Sequence, residues 1–87
     1  MTQKIEVNPD TWTLLSAGKT RGIVENESGS NVKIRIEAAG SAAPSDAESW
    51  GHNLPVLEYF TWEKSSTGAD IYAKTTSGVG ELIVTEG

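Results

Sequence analysis

The residue types most suggestive of chemistry lie in one segment, "SDAESWGH", residues 45–52. It contains the single histidine, His52, together with serines and the carboxylates of Asp46 and Glu48. A hydrolytic triad needs these types, because a nucleophilic serine requires a histidine base that a carboxylate orients. The spacing does not place them in contact, and a histidine between glycine and asparagine is typical of a solvated loop. We therefore expect no catalytic role for His52 and a protein that is not an enzyme.

Two glycine motifs resemble nucleotide-binding sequences. "AGKT", residues 17–20, matches the end of a phosphate-binding loop, but that motif needs a glycine five residues before Gly18, where the chain has Thr13. "GVG", residues 78–80, lacks the third glycine and the following helix of a dinucleotide fingerprint. Both motifs predict turns between strands. No cofactor is expected.

Composition argues against several classes of partner. The chain has 12 acidic and 7 basic residues and a net charge of −5, so it should be repelled by nucleic-acid phosphates. It contains no cysteine, and "SDAES" lacks the ligand density and glycine of a calcium loop, so no metal is expected. No segment approaches the roughly 20 apolar residues that span a bilayer. The beginning, "MTQKIEVNPD", has no apolar signal segment. We expect synthesis in a cytoplasm and no membrane partner.

The three tryptophans point to a binding protein. Trp12 and Trp62 lie in strand-like segments and are expected in the core of a small β domain. Trp50 lies in a loop and is the candidate anchor of a protein interface, since tryptophan is enriched among the residues that dominate binding. In the alternative interpretation, an exposed tryptophan stacks on sugar rings and the chain is a glycan-binding adhesion module.

The elements that position these residues are short strands. "NVKIRIE", residues 31–37, alternates apolar and charged side chains, which is typical of a half-buried strand. With the preceding segment it predicts a β-hairpin over residues 21–37, and "DIYAKTT" and "ELIVTE" predict a second hairpin across "SGVG". "VLEYFTWEK", residues 56–64, is a further strand. The chain is predicted to be one all-β domain, residues 1–87, an antiparallel sandwich or barrel of six to eight short strands.

One connection is unusually long. The small, polar segment from Glu37 to Asn53, with the loop itself at about 38–53, exceeds the usual 4–6 residues. Only a helical turn capped by Ser45 is expected within it. The loop is either a mobile surface segment, or Trp50 pins its end to the body of the domain while its Ala/Ser/Gly portion lies on a neighbouring molecule. Trp50, His52 and Pro44 are the interface candidates.

The order of these segments resembles a viral family. A tryptophan strand ("TWTLLSAG") is followed by "GIVENESGSNVKIRIE", by the proline-containing loop and by the closing "ADIYAKTTSGVGELIVTEG". From about Trp12 to the end, this order resembles the small β-sandwich virion proteins of tailed bacteriophages, of the head-decoration or head-spike-base type.

The resemblance implies a structural role in the virion. It implies a protein made in the host cytoplasm that assembles as a homo-oligomer, with a trimer favoured, on the capsid surface. The major capsid protein is then the expected partner. A tail-associated or glycan-binding adhesion module is the alternative. The family has no shared site motif, so no functional residue is transferred from it.

Overall fold

The protein is a β-sandwich, which confirms the predicted all-β fold. A computed structural model describes residues 1–64 and 67–87, and strands are the only regular elements assigned in that part of the chain. The strands are β1 (Thr2–Val7), β2 (Thr13–Lys19), β3 (Arg21–Asn26), β4 (Val32–Ala38), β5 (His52–Leu54), β6 (Tyr59–Glu63), β7 (Ala69–Thr75) and β8 (Gly80–Glu86).

The strands form two four-stranded antiparallel sheets. Sheet A has the order β1-β8-β3-β6 and sheet B has the order β2-β7-β4-β5. Alternate residues of each strand point into the space between the sheets, as the two-residue period of a strand requires. The most completely buried apolar side chains include Val24 and Leu82 from sheet A and Ile34 and Ile71 from sheet B. The core therefore lies between the sheets.

Both predicted hairpins are wrong, although their strands exist. β3 pairs with β6 and β8, whereas β4 pairs with β5 and β7, so the turn at residues 27–31 carries the chain from sheet A to sheet B. β7 and β8 likewise belong to different sheets. Alternation shows which face of a strand is buried but not which strand lies beside it. A short turn can lead back along the same sheet or across to the facing sheet, about 10 Å away.

The closing strands are joined through Gly78, whose φ of 71° fits a turn that glycine favours. The turn predicted from "GVG" is therefore confirmed, but it connects the two sheets. The predicted strand at residues 56–64 is shorter in the structure, because β6 begins at Tyr59 and residues 55–58 form a turn.

Strand β7 is an inner strand of sheet B and holds the loop of the site described below. Every residue from Ala69 to Thr75 is buried, so both faces of this strand are covered. Ile71 and Ala73 face the core between the sheets. Tyr72 and Lys74 point to the outer face of sheet B, where the main-chain oxygens of a loop accept hydrogen bonds from Lys74.

Candidate functional site

The loop of residues 39–51 packs on its own sheet. The ammonium group of Lys74, a side chain only 5% exposed, donates hydrogen bonds to the main-chain oxygens of Asp46 (2.6 Å) and Glu48 (3.3 Å). The Asp46 carboxylate accepts hydrogen bonds from the Thr11 hydroxyl (2.9 Å) and the Trp12 amide (3.2 Å). Neither sequence interpretation predicted that Asp46 and Glu48 are held on the body of the domain in this way, and contact of the Ala/Ser/Gly portion with a neighbouring molecule stays a prediction.

The predicted helical turn is a single turn in this loop. The Glu48 amide donates to the Ser45 main-chain oxygen at 3.0 Å, and the Ala47 amide donates to the Ser45 hydroxyl at 3.3 Å. Ser45 therefore caps a four-residue turn and not a helix, and the Glu48 side chain, which was expected to complete a capping box, pairs with Arg35 instead. The turn directs the Glu48 side chain toward sheet B, where it meets Arg35.

Trp12 and Trp62 are both buried, as predicted, but in different places, and Trp12 lies just before β2. Trp62 is 5% exposed and belongs to the core between the sheets. Trp12 is 6% exposed and lies under the loop, where its indole N–H donates to the Glu48 main-chain oxygen at 2.9 Å. The sequence does not show that the loop covers the outer face of sheet B. It therefore could not indicate that Trp12 is buried between this face and the loop.

Trp50 is exposed and rests on Arg35. The guanidinium carbon of Arg35 lies 3.7 Å from the centroid of the Trp50 ring, and the Trp50 residue is 61% exposed. Arg35 lies in β4 with its side chain on the outer face of sheet B, and its guanidinium carbon is 5.7 Å from the Trp12 ring. One arginine therefore supports an exposed aromatic ring above a buried one.

Two carboxylates fix the arginine. Arg35 Nε donates to Glu37 Oε2 at 3.0 Å and a terminal nitrogen donates to Glu48 Oε1 at 2.7 Å. The arginine side chain is only 12% exposed, so these ion pairs are partly shielded from water and stronger than surface pairs. We call Trp50, Arg35, Glu37 and Glu48 the Trp50 platform. The alternation of residues 31–37 predicts only that Arg35 points outward, so its contact with Trp50 could not be predicted from the sequence.

A shallow depression adjoins the platform. It has a volume of about 420 Å³ and is lined by residues 34–37 and 50–52. β5 pairs with β4 only through Val32–Ile34, so the depression lies where the edge of β4 has no strand beside it on that side. It brings together two predicted interface residues, Trp50 and the exposed His52. The third, Pro44, is half-buried and lies elsewhere in the loop.

The carboxylates near His52 have structural roles. Asp46 holds the Thr11–Trp12 backbone and Glu48 pairs with Arg35. Within residues 1–64 and 67–87, no three histidine or acidic side chains cluster so as to hold a metal ion. In the same residues there is no helix long and apolar enough to cross a membrane. What the site offers chemically is a rigid aromatic surface with charged neighbours.

The similarity of this chain to known proteins concerns its fold alone. No protein-family model matches the sequence, and no curated protein sequence matches it. A solved structure described as "Crystal structure of PirA" is similar, with a TM-score of 0.69 and 14% identity, over 99% of this chain and 93% of that chain. At this identity the likeness shows that the two chains share a β-sandwich fold.

Proposed function

We propose that this chain is a non-enzymatic structural protein of a tailed-bacteriophage particle that decorates or stabilises the capsid surface. The Trp50 platform would contact the major capsid protein. The protein would be made in the host cytoplasm and act as a homo-oligomer, for which a trimer is favoured. The viral assignment rests on the order of strands and loop in the sequence, because the likeness to PirA concerns the fold alone.

The observation that carries the binding role is the exposed, supported ring of Trp50. Tryptophan and arginine are enriched among the residues that contribute most to protein interfaces. Trp50 and Arg35 are stacked, and the arginine is already held by Glu37 and Glu48. Because few side-chain rotations remain to be lost, a partner covering Trp50 avoids part of the usual entropy cost of binding.

The small stability margin expected for this chain also fits a role on the capsid surface. A chain of this size buries only about 60–65% of its unfolded surface, so its stability margin is small. The 87-residue chain has no cysteine and hence no disulfide to supplement its core. A partner that binds only the folded form adds free energy of folding, as the capsid lattice would do here.

The test is co-sedimentation of purified protein with capsids from a culture that produces it. We expect the wild-type protein to sediment with the particles and Trp50→Ala to lose most of this binding, about tenfold or more in affinity. Trp50→Phe, which keeps an aromatic ring, should retain part of it. Leu14→Gln is the matched control, since Leu14 is also an exposed apolar residue on the outer face of sheet B. Equal binding by wild type and Trp50→Ala would contradict the proposed contact surface.

A second candidate is a glycan-binding adhesion module. The observation that favours it is the depression in which Trp50 lies beside Glu37 and His52. An aromatic ring next to polar side chains can stack on a sugar ring while the polar groups accept or donate hydrogen bonds. Titration with soluble mono- and oligosaccharides should then quench tryptophan fluorescence in the wild type and not in Trp50→Ala. No quenching by any sugar in the panel would remove this candidate.

A further inference from the structure

One edge of sheet B is only partly covered by a neighbouring strand. β5 pairs with β4 over residues 32–34, where Ile34 lies opposite His52. On its other side, β4 pairs with β7 along its whole length. In the part of the chain that the structure describes, the second half of β4 therefore has a strand on one side alone. This open edge borders the depression beside Trp50.

The register shows which main-chain groups face this edge. In an antiparallel pair, one residue exchanges both of its hydrogen bonds with a neighbouring strand, and the next residue turns both groups to the other side. The amide of Thr76 donates to the Asn31 main-chain oxygen at 3.0 Å, one step beyond the first pair of β4 with β7. Odd-numbered residues of β4 therefore bond to β7. Even-numbered residues turn their main-chain groups to the opposite side.

Ile36 is the residue left open. The groups of Ile34 on this side lie against His52 of β5, and the Ala38 oxygen accepts hydrogen bonds from the Ser41 amide (3.0 Å) and hydroxyl (2.6 Å). Within residues 1–64 and 67–87, the amide and carbonyl of Ile36 have no hydrogen-bond partner on this edge. Unpaired groups at a sheet edge are a template for another extended segment.

The two main-chain groups of Ile36 favour an extended polypeptide as their partner. The amide and carbonyl of one residue in a strand point to the same side and belong to two successive peptide groups. A residue of another extended segment offers the matching carbonyl and amide. The acetamido group of a sugar is a single trans amide whose N–H and C=O point in opposite directions, so it can bond only one of the two. A polypeptide therefore fits this edge better than a glycan.

The side chains around the edge indicate the composition of such a segment. Residues on either side of the one opposite Ile36 would point to the outer face of sheet B, where Trp50 is exposed. Glu37 accepts from Arg35 through Oε2, and a carboxylate can accept hydrogen bonds at both oxygens. Glu37 and Glu48 together outnumber the one cation, Arg35, that they hold. A lysine or arginine opposite Glu37 would form an opposite-charge pair across the strands.

We propose that an extended, lysine- or arginine-containing segment of the major capsid protein pairs with Ile36 as a short added strand and lies against Trp50. The inference rests on the proposed function, because the capsid is the source of the segment. It adds to that function the main-chain atoms that the partner bonds. The segment would continue the line of β5, and the pairing is short because His52 closes one end of the opening and Ser41 closes the other.

The test is hydrogen exchange of single amides in the full chain, free and bound to capsids. Mass spectrometry with electron-transfer fragmentation resolves the individual amides. The Ile36 amide should exchange at least about tenfold more slowly in the bound protein. The Ile34 amide, which already faces His52 of β5, should change much less.

The matched control is the amide of Lys4 on the edge of sheet A. The Glu86 amide donates to the Met1 main-chain oxygen at 3.2 Å, one step beyond the first pair of β1 with β8. The Lys4 amide therefore points away from β8 and should exchange at the same rate in the free and bound protein. Equal slowing at Lys4 and Ile36 would mean that the particle covers the whole domain, and it would overturn the specific pairing.

A pair of variants separates the hydrogen bond from simple covering of the edge. Ile36→Pro and Ile36→Ala both remove the isoleucine side chain, but only proline lacks the amide hydrogen. Because this amide points away from β7, proline breaks no bond of the existing ladder. Capsid affinity should be about three- to tenfold lower for Ile36→Pro than for Ile36→Ala. Urea unfolding checks that both variants are folded, and the exchange measurement on the wild type does not depend on either.

The outcomes distinguish this inference from the proposed function. If the wild type sediments with capsids and Trp50→Ala does not, unchanged exchange of the Ile36 amide would remove the inference and retain the function. Equal affinity of the two Ile36 variants would do the same. A wild type that does not sediment with capsids would contradict both.

Other occupants of the edge would also be recognised. Slower exchange of the Ile36 amide in the concentrated protein alone would assign the edge to a second copy of the chain. Slower exchange on addition of N-acetylglucosamine without capsids would assign it to a glycan. Either result would overturn the pairing with a capsid segment.

Discussion

At the scale of residues, Asn26 joins two turns at one end of the sandwich. Its side-chain amide donates to the Leu54 (2.9 Å) and Ser30 (3.0 Å) oxygens, and its side-chain oxygen accepts from the Ser28 amide (2.8 Å). Asn26→Ala leaves these buried groups without partners, so we expect the free energy of unfolding to fall by about 3 kcal/mol. Urea denaturation measures this.

The control for Asn26 is another asparagine nearby. Asn31 is exposed and contributes its main-chain oxygen to the Thr76 amide (3.0 Å) and hydroxyl (2.8 Å), which an alanine would preserve. Asn31→Ala should therefore change stability by less than about 0.5 kcal/mol. Equal losses for the two variants would show that Asn26 does not anchor the turns.

Leu57 gives a prediction of opposite sign. Glycine adopts its φ of 67° without strain, so Leu57→Gly should leave stability unchanged or raise it by about 1 kcal/mol. Leu57→Val should lower it, because a β-branched side chain fits the left-handed region less well. Thermal unfolding of both variants measures the difference. A clear loss of stability in Leu57→Gly would mean that the leucine side chain supports the fold.

Residues whose burial follows from strand periodicity could be predicted from the sequence. Val32 and Ile34 are buried as their alternation requires, and Trp62 lies in the core. The contacts of Arg35 and the backbone conformation of Leu57 could not be predicted, because they depend on residues that are distant in the sequence. An arginine on the outer face of a strand looks like any solvated charge until a loop places Trp50 on it.

At the scale of elements, the 39–51 loop depends on Lys74. Lys74→Met keeps the length of the side chain but removes both donors to the loop carbonyls of Asp46 and Glu48. We expect faster amide hydrogen exchange in residues 45–50 and a loss of about 1–3 kcal/mol in the free energy of unfolding. Hydrogen exchange read by mass spectrometry measures the first effect and urea denaturation the second.

Lys4 provides the control for that experiment. It is exposed and its ammonium group lies 3.9 Å from Glu81, a surface pair that contributes little. Lys4→Met should leave both the exchange in the loop and the stability unchanged. If Lys74→Met behaved in the same way, the loop would be held by its other contacts, chiefly those of Asp46 and Arg35.

Packing within sheet A gives a further prediction. A Cβ on Gly22 would lie 2.2 Å from a Trp62 ring carbon and 2.7 Å from the Thr85 main-chain oxygen. Gly22→Ala should therefore cost about 1–3 kcal/mol of stability through overpacking. Gly29→Ala is the matched control, since a Cβ there would meet nothing within 4 Å. Similar midpoints of thermal unfolding for both variants would contradict this packing.

The connections between elements were the least predictable part of the fold. The segments around residues 27–31 and 76–79 contain the turn residues of a hairpin, yet both carry the chain across to the other sheet. An apolar face is buried in either arrangement, so the local pattern is the same. The choice is made by long-range pairing, such as that of β8 with both β1 and β3.

At the scale of the whole molecule, the two sheets present different surfaces. The outer face of sheet B carries the covering loop and the Trp50 platform, whereas the exposed apolar residues Val56, Leu57 and Tyr59 lie in and beside the turn that leads into β6 of sheet A. A net charge of −5 disfavours contact with other acidic surfaces.

The most direct test of the proposed role is immunogold labelling of gradient-purified phage particles from a culture that produces this protein, viewed by electron microscopy. We predict gold over the heads, and loss of that label when the producing strain carries Trp50→Ala. Gold at the tail would favour the adhesion candidate. The absence of gold from every particle would contradict the account that the protein is a component of the virion.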